Sequence, residues 1–142
     1  MIPDIEKTIQ LAASPERVWR AITEAEELTA WFPQTIKWDQ QIGSEGWFEW
    51  EKHGRYAVRI ERLEPPSFMS WRWARKPGKP LAETNTTLVE WTLTPRAGGG
   101  TTLYLRESGF KSEQGRQGND AGWDAELGEM LEFLGEPETV IA

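Results

Sequence analysis

The feature that most constrains the fold is a two-residue alternation of apolar and polar side chains that runs from Gly46 to Phe110 without a helical segment inside it. Such alternation predicts β-strands that bury one face. Because no crossover helix separates the segments, neighbouring strands are expected to pair antiparallel. The predicted strands span residues 46–52, 55–63, 68–75, 86–94 and 101–110.

Two short helices are predicted ahead of this run. Ser14 is expected to cap the first helix, with Pro15 at its first position. Thr23 and Glu26 have the spacing of a capping box, which predicts that Thr23 caps the second helix. Pro33 is expected to end that helix, because proline cannot continue the backbone hydrogen-bond ladder.

The two ends of the chain carry different periodicities, that of a strand at the N-terminal end and that of a helix at the C-terminal end. Residues 5–11 alternate as a first strand, with Lys7 as the one polar break in its apolar row. After a polar, glycine-rich stretch over residues 111–118, the apolar residues recur at spacings of three and four. This pattern predicts an amphipathic helix over residues 119–134, about 24 Å long.

The order of these elements indicates an α+β fold in a single domain, residues 1–142. We expect an antiparallel sheet of about six or seven strands, two short helices after the first strand, and a long C-terminal helix packed across the sheet. No repeat or low-complexity tract interrupts this order.

Composition excludes several functional classes. The net charge of -7 opposes binding to nucleic-acid phosphates and to anionic membranes. No segment has the apolar length of a membrane span, and the first residues lack the pattern of a signal peptide. With no cysteine in the chain, we expect a cytoplasmic protein without disulfides or thiolate-bound metals.

The sequence also lacks the elements of common catalytic and metal sites. The single histidine, His53, precedes Gly54 in a predicted turn, where a solvated side chain is the ordinary interpretation. Neither a cluster of metal ligands nor a nucleophile motif accompanies it. We therefore expect no metal and no cofactor.

Landmarks along nearly the whole chain, from about Ile5 to Leu134, resemble those of the START-like (SRPBCC, Bet v 1-like) superfamily. The most similar subgroup comprises homologues of the activator of the ninety-kilodalton heat-shock-protein ATPase. The landmarks are Ser14-Pro15-Glu16-Arg17-Val18-Trp19, Trp31-Phe32-Pro33, Gly46-Trp47-Phe48, Glu64-Pro65-Pro66 with Trp71, Leu93-Thr94-Pro95, Ser108-Gly109-Phe110, and Gly122-Trp123 with Leu127 and Leu131.

This resemblance implies the helix-grip fold, in which a curved sheet wraps around the C-terminal helix. It also implies a cavity between sheet and helix, since relatives include lipid carriers, cyclases and proteins that bind small aromatic molecules. The superfamily has no shared catalytic motif to transfer, and one fold hosts many functions.

Aromatic and aliphatic side chains of the inward rows are the candidate ligand-binding residues, because small-molecule sites are mostly apolar with a few polar anchors. A solid core without a void is the alternative. The candidates are Phe48, Trp50, Tyr56, Val58, Met69, Trp71, Trp73, Trp91, Leu105, Glu107, Trp123 and Leu127.

Charged residues on the strands are open to two interpretations. Glu107 shares a row with Leu103 and Leu105, so it is a candidate anchor or general acid if this row faces inward. The more ordinary expectation places Glu107 in water at the strand end or beside an arginine. Three arginines (Arg55, Arg59 and Arg72) either bind a ligand carboxylate or, more ordinarily, pair across strands with Glu61 or Glu90.

Three functions follow. The leading hypothesis is binding of a small hydrophobic, aromatic or lipid-like molecule without catalysis, by a monomer or homodimer. The second is a cyclase or hydrolase that uses Glu107 in the same cavity. The third is a co-chaperone-like module that presents Trp47, Trp31 and Phe32 to a chaperone as an exposed patch.

Overall fold

Seven antiparallel strands form one sheet in the computed structural model, which describes residues 1–142. The spatial order is β1-β7-β6-β5-β4-β3-β2, so the first and last strands are neighbours. The strands are β1 (Ile5–Leu11), β2 (Thr35–Lys37), β3 (Glu45–Trp50), β4 (Gly54–Glu64), β5 (Phe68–Ala74), β6 (Thr86–Pro95) and β7 (Thr101–Ser108).

Three α-helices and one short turn of 3-10 helix complete the chain. The helices are α1 (Pro15–Thr23), α2 (Ala25–Trp31) and α3 (Glu113–Phe133), and the 3-10 turn is Leu81–Glu83. This order confirms the predicted α+β, helix-grip architecture. One strand, β2, carries no alternation long enough to be recognised in the sequence, because it has only three residues.

The inward rows of the sheet form the core, as the alternation predicted. On β7, the side chains at every second position are buried, from Thr101 to Glu107. The paired strands continue these rows, for example Leu103 opposite Leu93 on β6 and Ile9 on β1. One face of the sheet is thus apolar throughout, and the helices cover it.

Helix α3 begins six residues earlier than the sequence pattern predicted. The hydroxyl of Ser112 accepts a hydrogen bond from the backbone N–H of Gly115 at 3.0 Å and so caps the helix. Within the added turns Arg116 pairs with Glu113, and it also pairs forward with Asp120 in the predicted part of the helix. These local contacts offset the low helix propensity of the glycines in this stretch, and the helix reaches about 32 Å.

The predicted capping box of α2 is wrong. Thr23 belongs to the last turn of α1, where its hydroxyl donates to the carbonyl of Trp19 at 2.6 Å. Glu24 occupies the N-cap position of α2 and makes no side-chain cap. The two helices therefore join through one extended residue, and the threonine is used by the earlier helix.

Lys7, the polar break on β1, lies under α3 and ties the sheet to it. Its ammonium group forms ion pairs with Asp120 and with Asp124, the latter at 2.9 Å. Burial alone would lower the pKa of Lys7, but the hydrogen bonds and charges of the two carboxylates outweigh it and raise the pKa. The break in the apolar row is therefore a helix-to-sheet contact.

Trp31 and Phe32 lie in the core, so the predicted exposed patch is wrong for these two residues. Their exposed fractions are 4% and 7%, and the indole N–H of Trp31 donates to the carbonyl of Ala21 at 2.8 Å. The end of α2 packs between the sheet and α3, and this packing buries both rings. None of the helices combines the length and apolar character that a membrane crossing requires.

Candidate ligand-binding site

A cavity of about 320 Å³ opens at one end of the sheet, between the β3–β4 turn, the end of β5 and the first half of α3. Its size falls within the range of small-molecule sites. The lining residues are Phe32, Trp50, His53, Tyr56, Trp73, Ala74, Arg75, Gly118, Asn119, Gly122, Trp123 and Glu126.

Phe32 organises the aromatic wall of this cavity. Its ring stacks on Trp123 with centroids 5.3 Å apart and planes 14° apart, and it lies beside Trp73 at 6.0 Å. Trp50 meets the ring edge-on at 5.2 Å and donates its indole N–H to the Phe32 carbonyl at 3.0 Å. Such arrangements suit the quadrupoles of the rings and hold them in fixed orientations.

Two glycines one helical turn apart keep the α3 side of the cavity open. A Cβ atom added at Gly118 or Gly122 would meet no atom within 4 Å. Both residues line the cavity, and α3 remains helical across them. The missing side chains therefore leave space beside Trp123 that a ligand can occupy.

Glu107 lies directly behind this wall and is fully buried. One carboxylate oxygen, Oε1, accepts from the indole of Trp123 at 2.8 Å and from the amide of Asn119 at 3.0 Å. The other, Oε2, accepts from the indole of Trp73 at 2.8 Å and from the hydroxyl of Thr87 at 2.6 Å. Indole and amide N–H groups only donate, so this set of partners suits a carboxylate.

The expectation that Glu107 lies in water or beside an arginine is wrong. Its partners are all uncharged, and it contacts no solvent. The physical reason is that Asn119 and Trp123 of α3 cover the end of β7 and, together with Trp73 and Thr87, satisfy both carboxylate oxygens. Glu107 does not line the cavity. It fixes the two indoles and the amide that do.

Polar groups form the rim of the cavity. His53 is exposed in the β3–β4 turn, and Tyr56 and Asn119 are half-buried. Burial raises the pKa of Glu126 to about 7, and the neighbouring charge of Glu129 adds to this effect. Arg75 provides the cationic group of the rim.

The raised pKa of Glu126 predicts a pH-dependent stability. The folded state holds this proton more tightly than the unfolded chain, so the stabilisation is complete below about pH 4.5 and is lost as the pH rises through about 7. Allowing for partial exposure, we expect about 1 kcal/mol. Glu126→Gln should flatten the dependence of the melting temperature on pH between 5 and 8.

Glu132→Gln, on the exposed side of α3, is the matched control for this experiment. It should retain the slope of the unmodified protein. Asp120 and Glu61 have lowered pKa values through Lys7 and through Arg59 and Arg72, against the opposing effect of burial. Their contributions are therefore lost only at more acidic pH. An equal slope in Glu126→Gln and the unmodified protein would contradict the assignment.

The candidate residues from the sequence separate into two groups. Trp50, Tyr56, Trp73 and Trp123 line the cavity. The others are buried in filled core away from it, because alternation specifies a face of the sheet and not a position along it. These are Phe48, Val58, Met69, Trp71, Trp91, Leu105 and Leu127, together with Glu107 behind the wall.

Several lining residues were missed, although the sequence carried signals for some of them. Continuing the alternation past Trp71 and Trp73 places Arg75 on the same inward row. On α3, Asn119 and Glu126 lie four before and three after Trp123, so they share its side of the helix. Phe32 gave no such signal, because it follows the last residue of α2.

All three arginines of the outer sheet face form ion pairs, but only Arg72 makes the predicted cross-strand pair with Glu61, because Arg59 and Glu61 lie on the same strand and the partner of Arg55 is Glu49. Arg59 and Arg72 both contact Glu61, at 3.0 and 3.1 Å. Arg55 pairs with Glu49 and lies 3.7 Å from the centre of the Trp47 ring. No group of three or more histidine, cysteine or acidic side chains is placed to hold a metal ion.

Proteins of known structure share this fold over almost their whole length. Protein MLL2253 of Mesorhizobium loti superposes with a TM-score of 0.82 at 22% identity, covering 94% of this chain and 97% of that one. An HSP90 activator from Plasmodium falciparum gives 0.79 at 17% identity, with coverage of 96% and 99%. The Aha1 dimer from Colwellia psychrerythraea gives 0.76 at 20% identity, with coverage of 91% and 93%.

At the level of sequence, no curated protein matches the chain. A family described as activator of Hsp90 ATPase homolog 1-like protein matches residues 12–135. This match spans α1 to the end of α3 and agrees with the landmarks noted in the sequence. The chain therefore belongs to the activator of Hsp90 ATPase homolog 1-like family.

Proposed function

We propose that the protein binds a small, flat, hydrophobic molecule, aromatic or lipid-like, in the cavity beside α3. The observation that carries this proposal is the combination of an open, aromatic-walled cavity with a buried carboxylate that orients its walls. Glu107 draws the N–H groups of Trp73 and Trp123 away from the cavity. Ring surfaces are thereby left for stacking, which suits a flat apolar ligand.

Binding without catalysis fits Glu107 better than the cyclase or hydrolase alternative. A general acid or base must come within hydrogen-bond reach of the reacting atom. Both oxygens of Glu107 are already occupied by donors on the protein, and the residue is fully buried. Its geometry supports a positioning role for the cavity wall.

The direct test is tryptophan fluorescence and thermal stability in the presence of flavonoids, fatty acids and polyketide-like aromatics. A bound ligand should quench emission and raise the melting temperature, because it binds only the folded state. If no compound in this panel produces either effect, the proposal fails.

A cavity-filling variant makes the test specific for this site. Helical side chains lean toward the helix N-terminus, so the side chain in Gly122→Leu should lie over the open turn at Gly118. We expect it to weaken ligand binding by at least about tenfold, or about 1.4 kcal/mol. Isothermal titration calorimetry with the best compound of the panel measures the change.

Gly128→Leu provides the matched control. It introduces the same side chain on the same helix, also where an added Cβ meets no atom within 4 Å, but outside the cavity. Both variants gain similar helix propensity. Equal loss of affinity in the two variants would place the ligand elsewhere.

Chaperone binding is the second candidate, favoured by the family description and by the Plasmodium falciparum HSP90 activator of the same fold. Trp31 and Phe32 are buried and cannot supply the contact. Trp47 is partly exposed beneath Arg55 and is the remaining residue of the predicted patch. A chaperone ATPase assay with the protein and with Trp47→Ala tests this function; an unchanged ATPase rate rejects it.

A further inference from the structure

Arg75 differs from every other arginine of the chain, because its guanidinium group has neither an ion pair nor a hydrogen bond. The others contact carboxylates, or in the case of Arg96 the carbonyl of Leu11. Arg75 lies just past the end of β5 and lines the cavity. Its donors are therefore free beside a space that a ligand can enter.

Packing holds this guanidinium in place without using its N–H groups. It lies 5.2 Å from the centre of the buried Phe110 ring, a favourable cation–π distance. One of its nitrogens lies 3.4 Å from the position that a Cβ of residue 115 would take, so it rests against the first turn of α3. The carboxylate of that turn, on Glu113, is already engaged by Arg116 at 2.7 Å.

The Arg75 guanidinium is held in position while its N–H donors are unused, so it is suited to bind an anion that has two parallel acceptor oxygens. Carboxylates match the guanidinium fork in this way. A dianionic phosphate suits the site less well, because Glu126 lies on the same rim and the chain carries a net charge of -7. The aromatic wall lies within the same cavity as Arg75 and can receive the apolar body.

We propose that the occupant of the cavity is a flat aromatic acid whose carboxylate is bound by Arg75. This inference rests on the proposed binding function and names its ligand class. The ring system stacks against Phe32, Trp73 and Trp123, and the carboxylate accepts two N–H bonds from the guanidinium. Arg75 then sets specificity for acids over their neutral analogues.

Three matched probes test the assignment by calorimetry: 2-naphthoic acid, 2-naphthamide and 2-naphthyl phosphate. The unmodified protein should bind the acid at least about tenfold more tightly than the amide, since a charge-assisted pair is lost in the amide. In Arg75→Gln this preference should disappear while the amide keeps its affinity. Arg72→Gln, three residues earlier on β5 but on the outer face beside Glu61, should keep the preference.

Each other outcome overturns the inference. If the unmodified protein binds the acid and the amide equally, Arg75 does not anchor a carboxylate, although the proposal of a binding cavity still holds. If the protein binds 2-naphthyl phosphate more tightly than 2-naphthoic acid, the ligand class is an aromatic phosphate and not an aromatic carboxylic acid. If Arg75→Gln loses affinity for the acid and the amide equally, Arg75 contributes only to packing and not to recognition of the carboxylate. If the unmodified protein binds neither these probes nor the broader panel, the proposed function fails as well.

Discussion

Glu107→Ala is expected to lower the free energy of unfolding by about 3–5 kcal/mol, the largest effect of any single change at the site. The substitution removes the acceptor for the indoles of Trp73 and Trp123 and for the amide of Asn119. The donors of Trp123 and Asn119 then lose their acceptor, and the Trp73 indole retains only the hydroxyl of Thr87 at 2.9 Å. An unpaired buried donor costs more free energy than a solvent-exposed one, which water can satisfy. Urea unfolding followed by circular dichroism measures the change.

Glu107→Gln distinguishes the contribution of the hydrogen bonds to stability from that of the side-chain volume. The amide keeps the shape, but its NH₂ group then faces donors where an acceptor is needed. We expect an intermediate loss of about 1–3 kcal/mol. The near-ultraviolet circular dichroism should also change, because the orientation of the two indoles depends on this carboxylate.

Glu90→Ala is the control for these variants. Glu90 is on the neighbouring strand β6, half-buried on the outer face, and pairs with Arg106 at 3.4 Å. A partly exposed pair of this kind contributes at most about 1 kcal/mol. A loss in Glu107→Ala no larger than in Glu90→Ala would mean that Glu107 does not organise the wall.

The sheet and its inward face could be predicted from the sequence, because alternation is a direct consequence of strand geometry. The row of Leu103, Leu105 and Glu107 shows both the strength and the limit of this signal. Alternation placed Glu107 on the inner face, but its burial depends on the side chains that cover it, namely Asn119 and Trp123 of α3, whose position over β7 is a tertiary contact that alternation does not specify. The start of α3 was missed for a separate reason, since the low helix propensity of Gly115 and Gly118 makes that stretch resemble a loop.

The position of the cavity could not be predicted from the same patterns. Trp71 and Trp73 are alternate residues of one strand, yet Trp71 lies in filled core and Trp73 lines the cavity. The difference arises from what covers each of them. Helix α3 passes the cavity end with Gly118 and Gly122, whereas farther along Leu127 and Met130 fill the space against the sheet.

Phe32→Ala is the second change expected to have a large effect, because its ring joins the aromatic residues of α3 to those of the sheet. The ring is 7% exposed and lies within 6.0 Å of both Trp73 and Trp123. Truncation removes apolar burial and leaves an enlarged cavity. We expect a loss of about 3 kcal/mol, measured by urea unfolding.

Phe133→Ala serves as the control for ring loss at the protein's edge. That ring is partly buried at the end of α3, beneath the guanidinium of Arg17 at 5.4 Å. Its truncation should lower stability by about 1 kcal/mol, since Phe133→Ala removes less buried apolar surface than Phe32→Ala does. Similar losses in the two variants would show that Phe32 is not the centre of the wall.

Ligand binding distinguishes a wall residue from an ordinary core residue. An enlarged apolar cavity in Phe32→Ala can accept a small aromatic molecule in place of the missing ring. Benzene should therefore raise the melting temperature of Phe32→Ala by more than that of the unmodified protein, whereas the flat ligands of the proposed site should bind less tightly without Phe32 to stack on. Retention of full affinity for those ligands in Phe32→Ala would contradict the assigned wall, because the ring that stacks on Trp123 would then contribute nothing to the site.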